Sequence, residues 1–396
     1  MNKQQAEHTD VFTNSSKGQL IPLQTEPLWN GCGKPTAVHD CVIIKHRARQ
    51  AVTAMHTLSN QLRLFSWRVN ADGDVVCTGA TEGQGEEILQ IDLIRIDPVH
   101  AIRYVTAWRT RGGELYLQCW DVSNTGAFYP SGPAHCAAEG LEWIQLLALG
   151  PDRLLTIGLG QDGLWHLTQW QVNQVGELEQ QAQRTFPAFS GALAAAPLPT
   201  QEKSTSNHRF VTVFHVAPDT LRWLCWDALP SGEPIVAQTW EEHHANIIKL
   251  EVTTLADQLI TLLHRADGQL QLVTHPIYPG SLPQEITQVE SNATPSPTTL
   301  ATRVRHFAIS HHENHLLIAY TACAQQTQPL TLLRWPATAT PPEQASVPTG
   351  TTLGTLSIDA AHSLALCDQS LEGYAPVLTA VGLANGGLQL TTWGAA

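Results

Sequence analysis

Val105-Thr106-Ala107-Trp108-Arg109-Thr110-Arg111-Gly112-Gly113-Glu114-Leu115-Tyr116-Leu117-Gln118-Cys119-Trp120 decides the fold. An aliphatic residue and a threonine open an alternating apolar run. Gly112-Gly113 then supplies a turn, and a second alternating run ends in tryptophan. Period-two alternation is the strand pattern, and paired glycines between two such runs mark a hairpin. The unit recurs. Its openings read Val52-Thr53, Val105-Thr106, Leu155-Thr156, Val211-Thr212, Ile260-Thr261, Leu317-Ile318 and Leu378-Thr379. Its ends read Trp67, Trp120, Trp170, Trp226, His275, Trp335 and Trp393, in steps of 53, 50, 56, 49, 60 and 58 residues. A repeat of roughly 40–50 residues holding about four strands is the signature of a propeller blade. The sequence therefore predicts an all-β, seven-bladed β-propeller of four-stranded blades.

Working outward, each unit gains a strand before its hairpin, such as Glu87–Ile96 before 104–109 and Leu115–Val122. Only three residues follow Trp393, so the seventh blade lacks an outer strand. Gln19-Leu20-Ile21-Pro22-Leu23 precedes the first inner strand without a partner of its own. It is expected to supply the missing strand and close the ring, because an open ring leaves two unpaired sheet edges. Residues 17–396 then form one propeller domain and residues 1–16 a disordered tail. Polar interruptions at 200–208, 290–302 and 368–375 read as loops.

Composition narrows the partners. The 396-residue chain carries 35 acidic against 22 basic residues, a formal charge of −13. That balance opposes binding to a phosphate backbone or an anionic membrane. No stretch is apolar enough to span a bilayer as a helix, and no secretory leader is visible. A soluble, cytoplasmic, monomeric protein with reduced thiols is the expectation.

Trp120-Asp121 and Trp226-Asp227 look like the WD dipeptide, so the chain resembles a divergent WD-like propeller. The Gly-His half of that signature is absent. The resemblance implies the fold and assigns no functional residue.

Propellers present ligands around the central channel, on the face of the loops that lead into the first strands and out of the second. The ends of the second strands supply His56, Arg109, His215 and His264, preceded by Trp108, Phe214 and, in the sixth unit, Tyr320. The starts of the first strands supply His39, Glu86, Glu87, Trp143, His244, Arg303 and His306. These residues change from unit to unit while the framework repeats, which favours one asymmetric central site over seven equal ones. Two function classes follow. The first is a binding or interaction module holding a small molecule or peptide, with His39, Arg109, Trp108, Trp143, Phe214, His244, Arg303, His306 and Tyr320 as contacts. The second is an acid–base enzyme of lyase, isomerase or cyclase type, using His56, His215 and His264 with Glu86 and Glu87. Neither a nucleophile motif nor a cofactor fingerprint is present, and no metal is called for. The tract His311-His312-Glu313-Asn314-His315 falls in an expected polar turn. A lectin would repeat its sugar contacts in every blade, which this chain does not.

Overall fold

The computed structural model describes residues 20–24, 38–57, 60–72, 74–83, 85–97, 102–187, 193–199, 208–217, 219–229, 232–256, 258–277, 297–312, 315–323, 328–336, 351–358, 361–368, 377–383 and 388–395. They form 29 strands and no helix, arranged as seven antiparallel sheets. The alternating runs of Val, Ile, Leu, Thr and Trp suit a pleated surface buried on both faces.

The closing strand is β1 (Leu20–Gln24). Blade one is β2 (Val38–Arg47), β3 (Gln50–Thr57), β4 (Leu62–Val69) and β5 (Val75–Glu82). Blade two is β6 (Ile88–Ile96), β7 (Arg103–Thr110) and β8 (Leu115–Val122), with an outer edge split into β9 (Phe128–Pro130) and β10 (His135–Ala138). Blade three is β11 (Leu141–Ala148), β12 (Arg153–Gly160), β13 (Leu164–Val172) and β14 (Leu178–Pro187). Blade four is β15 (Leu193–Leu198), β16 (His208–Ala217), β17 (Thr220–Ala228) and β18 (Ile235–His243). Blade five is β19 (Ile247–Leu255), β20 (Gln258–Arg265), β21 (Leu270–Pro276) and β22 (Thr298–Ala301). Blade six is β23 (Val304–His312), β24 (His315–Ala322), β25 (Gln328–Pro336) and β26 (Thr351–Ile358). Blade seven is β27 (Ala361–Asp368), β28 (Val377–Leu383) and β29 (Leu388–Ala395).

Ring closure takes the expected form. β1 pairs antiparallel with β29, Leu20 opposite Ala395 and Pro22 opposite Trp393. Two expectations shift. Thr298–Ala301, read as part of a loop, is the outer strand of blade five. His311 and His312 end β23 and His315 opens β24, so the histidine tract is largely strand. Residues 1–16 lie outside the described residues. Cys77 is disulfide-bonded, whereas six other cysteines are free, so the thiols are not all reduced.

Seven hydrophobic clusters fill the seven seams between blades. The repeated Trp faces the preceding blade, and in blades one, two, three, four and seven it donates its indole N–H to the threonine fourteen residues earlier. The distances are 2.8 Å for Trp67–Thr53, 2.9 Å for Trp120–Thr106, 3.0 Å for Trp170–Thr156, 2.9 Å for Trp226–Thr212 and 3.1 Å for Trp393–Thr379. This bond lets a large amphipathic ring be buried without an orphaned donor. The Asp of each Trp-Asp pair meets an arginine directly across the sheet, Arg103–Asp121 and Arg209–Asp227, both at 2.8 Å.

The seam between blades four and five breaks the pattern. His275 stands where the Trp would, and the hydroxyl of Thr261 is buried without a partner. His275 instead donates Nε2–H to Glu242 at 2.6 Å, and His244 donates to the other carboxylate oxygen at 3.0 Å. Trp223 and Trp240 stack at 5.8 Å and meet the His275 ring edge-on at 5.3 and 6.1 Å. Burial alone would push the Glu242 carboxyl up, but the two imidazole donors hold it down at about 2. The threonines supply a paired test. Thr212→Val orphans the Trp226 donor and is expected to cost about 1–2 kcal/mol by urea denaturation. Thr261→Val removes an already unpaired hydroxyl and is expected to be neutral or stabilising. Equal losses at both positions contradict a stabilising Trp226–Thr212 bond.

Candidate functional site

The innermost strands β2, β6, β11, β15, β19, β23 and β27 surround a channel of about 1120 Å³. One edge of each such strand has no strand partner across the axis, so its backbone groups need other partners. Polar side chains from the preceding blade supply several. Gln90 donates to the Ile144 carbonyl at 2.7 Å and accepts from its N–H at 3.0 Å. Asp92 accepts the Leu93 and Leu146 N–H groups, each at 2.7 Å. Gln145 donates to the Ala195 carbonyl at 3.2 Å, and Lys249 to the Phe307 carbonyl at 3.4 Å.

A repeated irregularity aims these side chains. In six blades the inner strand starts with a register shift, at Val38/Asp40, Ile88/Gln90, Leu141/Trp143, Ile247/Lys249, Val304/His306 and Ala361/Ser363. Where the preceding residue is described it is left-handed at Glu87 (φ 51), Gly140 (φ 68), Asn246 (φ 59) and Arg303 (φ 58). A bulge inserts one residue and re-aims the next side chain. The residues just past it are Asp40, Gln90, Trp143 and Lys249 in blades one, two, three and five, and all four line the channel. The backbone device is common to the blades and the side chains are not, which makes the channel asymmetric.

Its electrostatics are unusual. Burial raises the Asp92 carboxyl to about 6, against the pull of its two backbone donors, and the nearby Asp40 charge adds to the rise. Burial also raises Asp40, while the Cys41 N–H at 2.8 Å and the Lys249 charge act the other way. Cys41, in the same wall, is pushed up to about 12 by burial and by Asp40. Such carboxylates beside an ammonium and aliphatic walls are suited to bind a polar small molecule. A thiol held protonated is no nucleophile. Among the described residues, no group of three or more His, Cys, Asp or Glu is placed to hold a metal ion.

Of the residues nominated from sequence, Trp143 alone lines the channel. His56 is buried, stacks on His39 at 5.3 Å and meets Asn60 Oδ1 at 3.2 Å, and burial lowers its pKa. His264 donates to the Val304 carbonyl of the next blade at 2.9 Å, and burial lowers its pKa as well. Arg109 reaches the Leu141 carbonyl at 3.4 Å, again across a seam. Trp108 and Phe214 are core, and Tyr320 packs half-buried between blades five and six. His244 belongs to the Glu242 cluster. Glu86 is exposed, and the exposed Glu87 and Arg303 are lead-in residues whose carbonyls accept the N–H of Arg111 and Cys323. His215 and His306 are half-buried on β16 and β23. The nominated set thus forms local pairs and seam contacts rather than one cluster. Sequence reading passed over Asp40, Asp92 and Lys249, whose signal was a charge set inside an otherwise apolar inner strand.

No family model and no curated protein matches the chain. Solved structures do. AofleA from Arthrobotrys oligospora superposes with a TM-score of 0.51 at 10% identity, covering 87% of this chain and 92% of its own. A mutant of AofleA with three arginines replaced by alanine gives 0.51 at 11% identity over the same shares. The fungal lectin of Aleuria aurantia, described as six-bladed with a novel fucose recognition mode, gives 0.48 at 11% identity, covering 80% of this chain and 99% of its own. At such identities the likeness is one of fold: the chain is a seven-bladed β-propeller with propeller lectins among its structural neighbours.

Proposed function

We propose that this protein is a binding module whose central channel holds one small molecule, with a cationic or hydrogen-donating group set against Asp40 and Asp92. The observation that carries this reading is the pair of half-buried carboxylates at unrepeated positions in the channel wall, each raised by desolvation. Charge placed there costs stability, and structural need explains only part of it: Asp92 accepts its neighbour's N–H and one N–H of β11, while Asp40 accepts just its neighbour's N–H. Binding is favoured over acid–base catalysis because His56 and His264 hydrogen-bond Asn60 and a backbone carbonyl, and neither lines the channel.

The test is a thermal-shift and calorimetric screen of small amines, with carboxylates of equal size as controls. Amines are expected to bind and Asp92→Asn to weaken them about tenfold. Asp92 is charged above its pKa of about 6. Affinity should therefore be full above about pH 7, fall about tenfold by pH 5, and lose this dependence in Asp92→Asn. Preference for carboxylates, or a flat pH profile, contradicts the reading.

A second reading is a sugar-binding module. Arg63–Glu82 and Arg222–Glu241 face each other at one register in blades one and four, each pair bonded at 2.6 Å. Such paired donors and acceptors suit sugar hydroxyls. Glycan binding lost in Arg63→Ala with Arg222→Ala, but retained in Asp92→Asn, would favour it.

A further inference from the structure

In six blades the channel touches only the innermost strand. In blade three it reaches past β11 to Leu159 on β12 and Trp165 on β13, bounded by Trp143 and by Leu193 of blade four. This side branch runs into the seam between blades three and four. Its walls are two indoles in edge-to-face contact at 5.8 Å and two leucines. Trp165 is 1% exposed, and its Nε1–H has no hydrogen-bond partner. A buried indole donor normally finds one, so an orphan at a cavity wall points to a missing acceptor. The buried Oε1 of Gln145, also a wall residue, is unpartnered too. Asp92 is the channel carboxylate tied to this strand: Gln90 bonds Ile144, next to Trp143, and Asp92 bonds Leu146.

We propose that this branch is an aromatic subsite: it takes the flat apolar part of an aromatic amine whose hydrogen-bond acceptor meets Trp165 Nε1–H, while the ammonium lies toward Asp92. This rests on the reading of the channel as a binding site. The indoles and leucines supply an apolar wall, the Trp165 N–H supplies one directional donor, and the channel carboxylates supply the counter-charge.

The probes are 4-methoxyphenethylamine, phenethylamine, which lacks the ether acceptor, and putrescine, which lacks the ring. Isothermal titration is expected to rank them in that order, with about tenfold between the first two. Trp165→Phe keeps the ring and removes the donor. It should erase the methoxy preference and leave phenethylamine within about twofold. Leu159→Phe should fill the branch and weaken both aromatic amines at least about tenfold, with putrescine unchanged. Melting curves confirm that both variants fold. If Trp165→Phe retains the methoxy preference, or Leu159→Phe binds aromatic amines normally, the subsite is overturned. Putrescine binding that depends on Asp92, with no advantage for aromatic amines, overturns the subsite and leaves the channel reading standing. Absence of any amine binding overturns both.

Discussion

Deleting residues 1–24 lowers the melting temperature by about 5 °C or more and promotes aggregation. The strand β1 makes four register pairs with β29 and also lies against β26 of the preceding blade. Losing about four backbone hydrogen bonds, each worth about 1 kcal/mol, removes about 4 kcal/mol. For a chain of this length unfolding entropy near 2 cal/mol/K per residue converts that to roughly 5 °C. The exposed edge of β29 then becomes a template for another chain. Unchanged melting, with unchanged size on gel filtration, contradicts closure by this strand.

Replacing Glu242 has the largest expected single-residue effect. Glu242→Ala leaves two buried imidazole donors without an acceptor in the seam between blades four and five, and about 3 kcal/mol of stability is expected to go. Glu241→Gln, one residue earlier on an exposed arginine pair, is the control and should cost less than about 0.5 kcal/mol. The pH dependence has a definite sign. The Glu242 carboxyl titrates at about 2 in the folded chain and near the ordinary glutamate value of 4.5 when unfolded. Its contribution is therefore present above about pH 4.5 and is lost as pH falls from there toward 2. Urea midpoints measured between pH 2 and 7 check this, and the variant's curve should be flatter across that window. Matching curves contradict an ionised Glu242 held between the two imidazole donors.

That cluster marks where the sequence stops being legible. The framework could be read because five of the seven blades repeat a local demand, a Trp that needs a Thr fourteen residues earlier, and hairpin turns need Gly or Asn between two alternating runs. His275 was visible as the odd member of the Trp series. Its partner was not, because Glu242 comes from another blade's outer strand, and only the folded ring brings them together. The channel failed to show for a different reason. Strand alternation assigns a side chain to a face, but the bulge that opens each inner strand shifts that parity by one residue. Counting from the repeat therefore led to His39 and Glu87, while the bulge turns Asp40 and Gln90 inward. Trp143 was found because it sits past its bulge and was conspicuous as an aromatic. His56, His264 and Arg109 lie one strand farther from the axis, and their neutral or desolvated polar groups meet a local side chain or the adjoining blade's backbone.

The central claim is that one small molecule occupies the channel against Asp40 and Asp92. A crystal structure of the protein soaked at pH 7.5 with the tightest amine from the calorimetric screen tests it most directly. The account predicts density inside the ring of inner strands, with the ammonium within hydrogen-bonding distance of a channel carboxylate. An empty channel, with the soaked molecule bound instead beside Arg63–Glu82 or Arg222–Glu241, contradicts it.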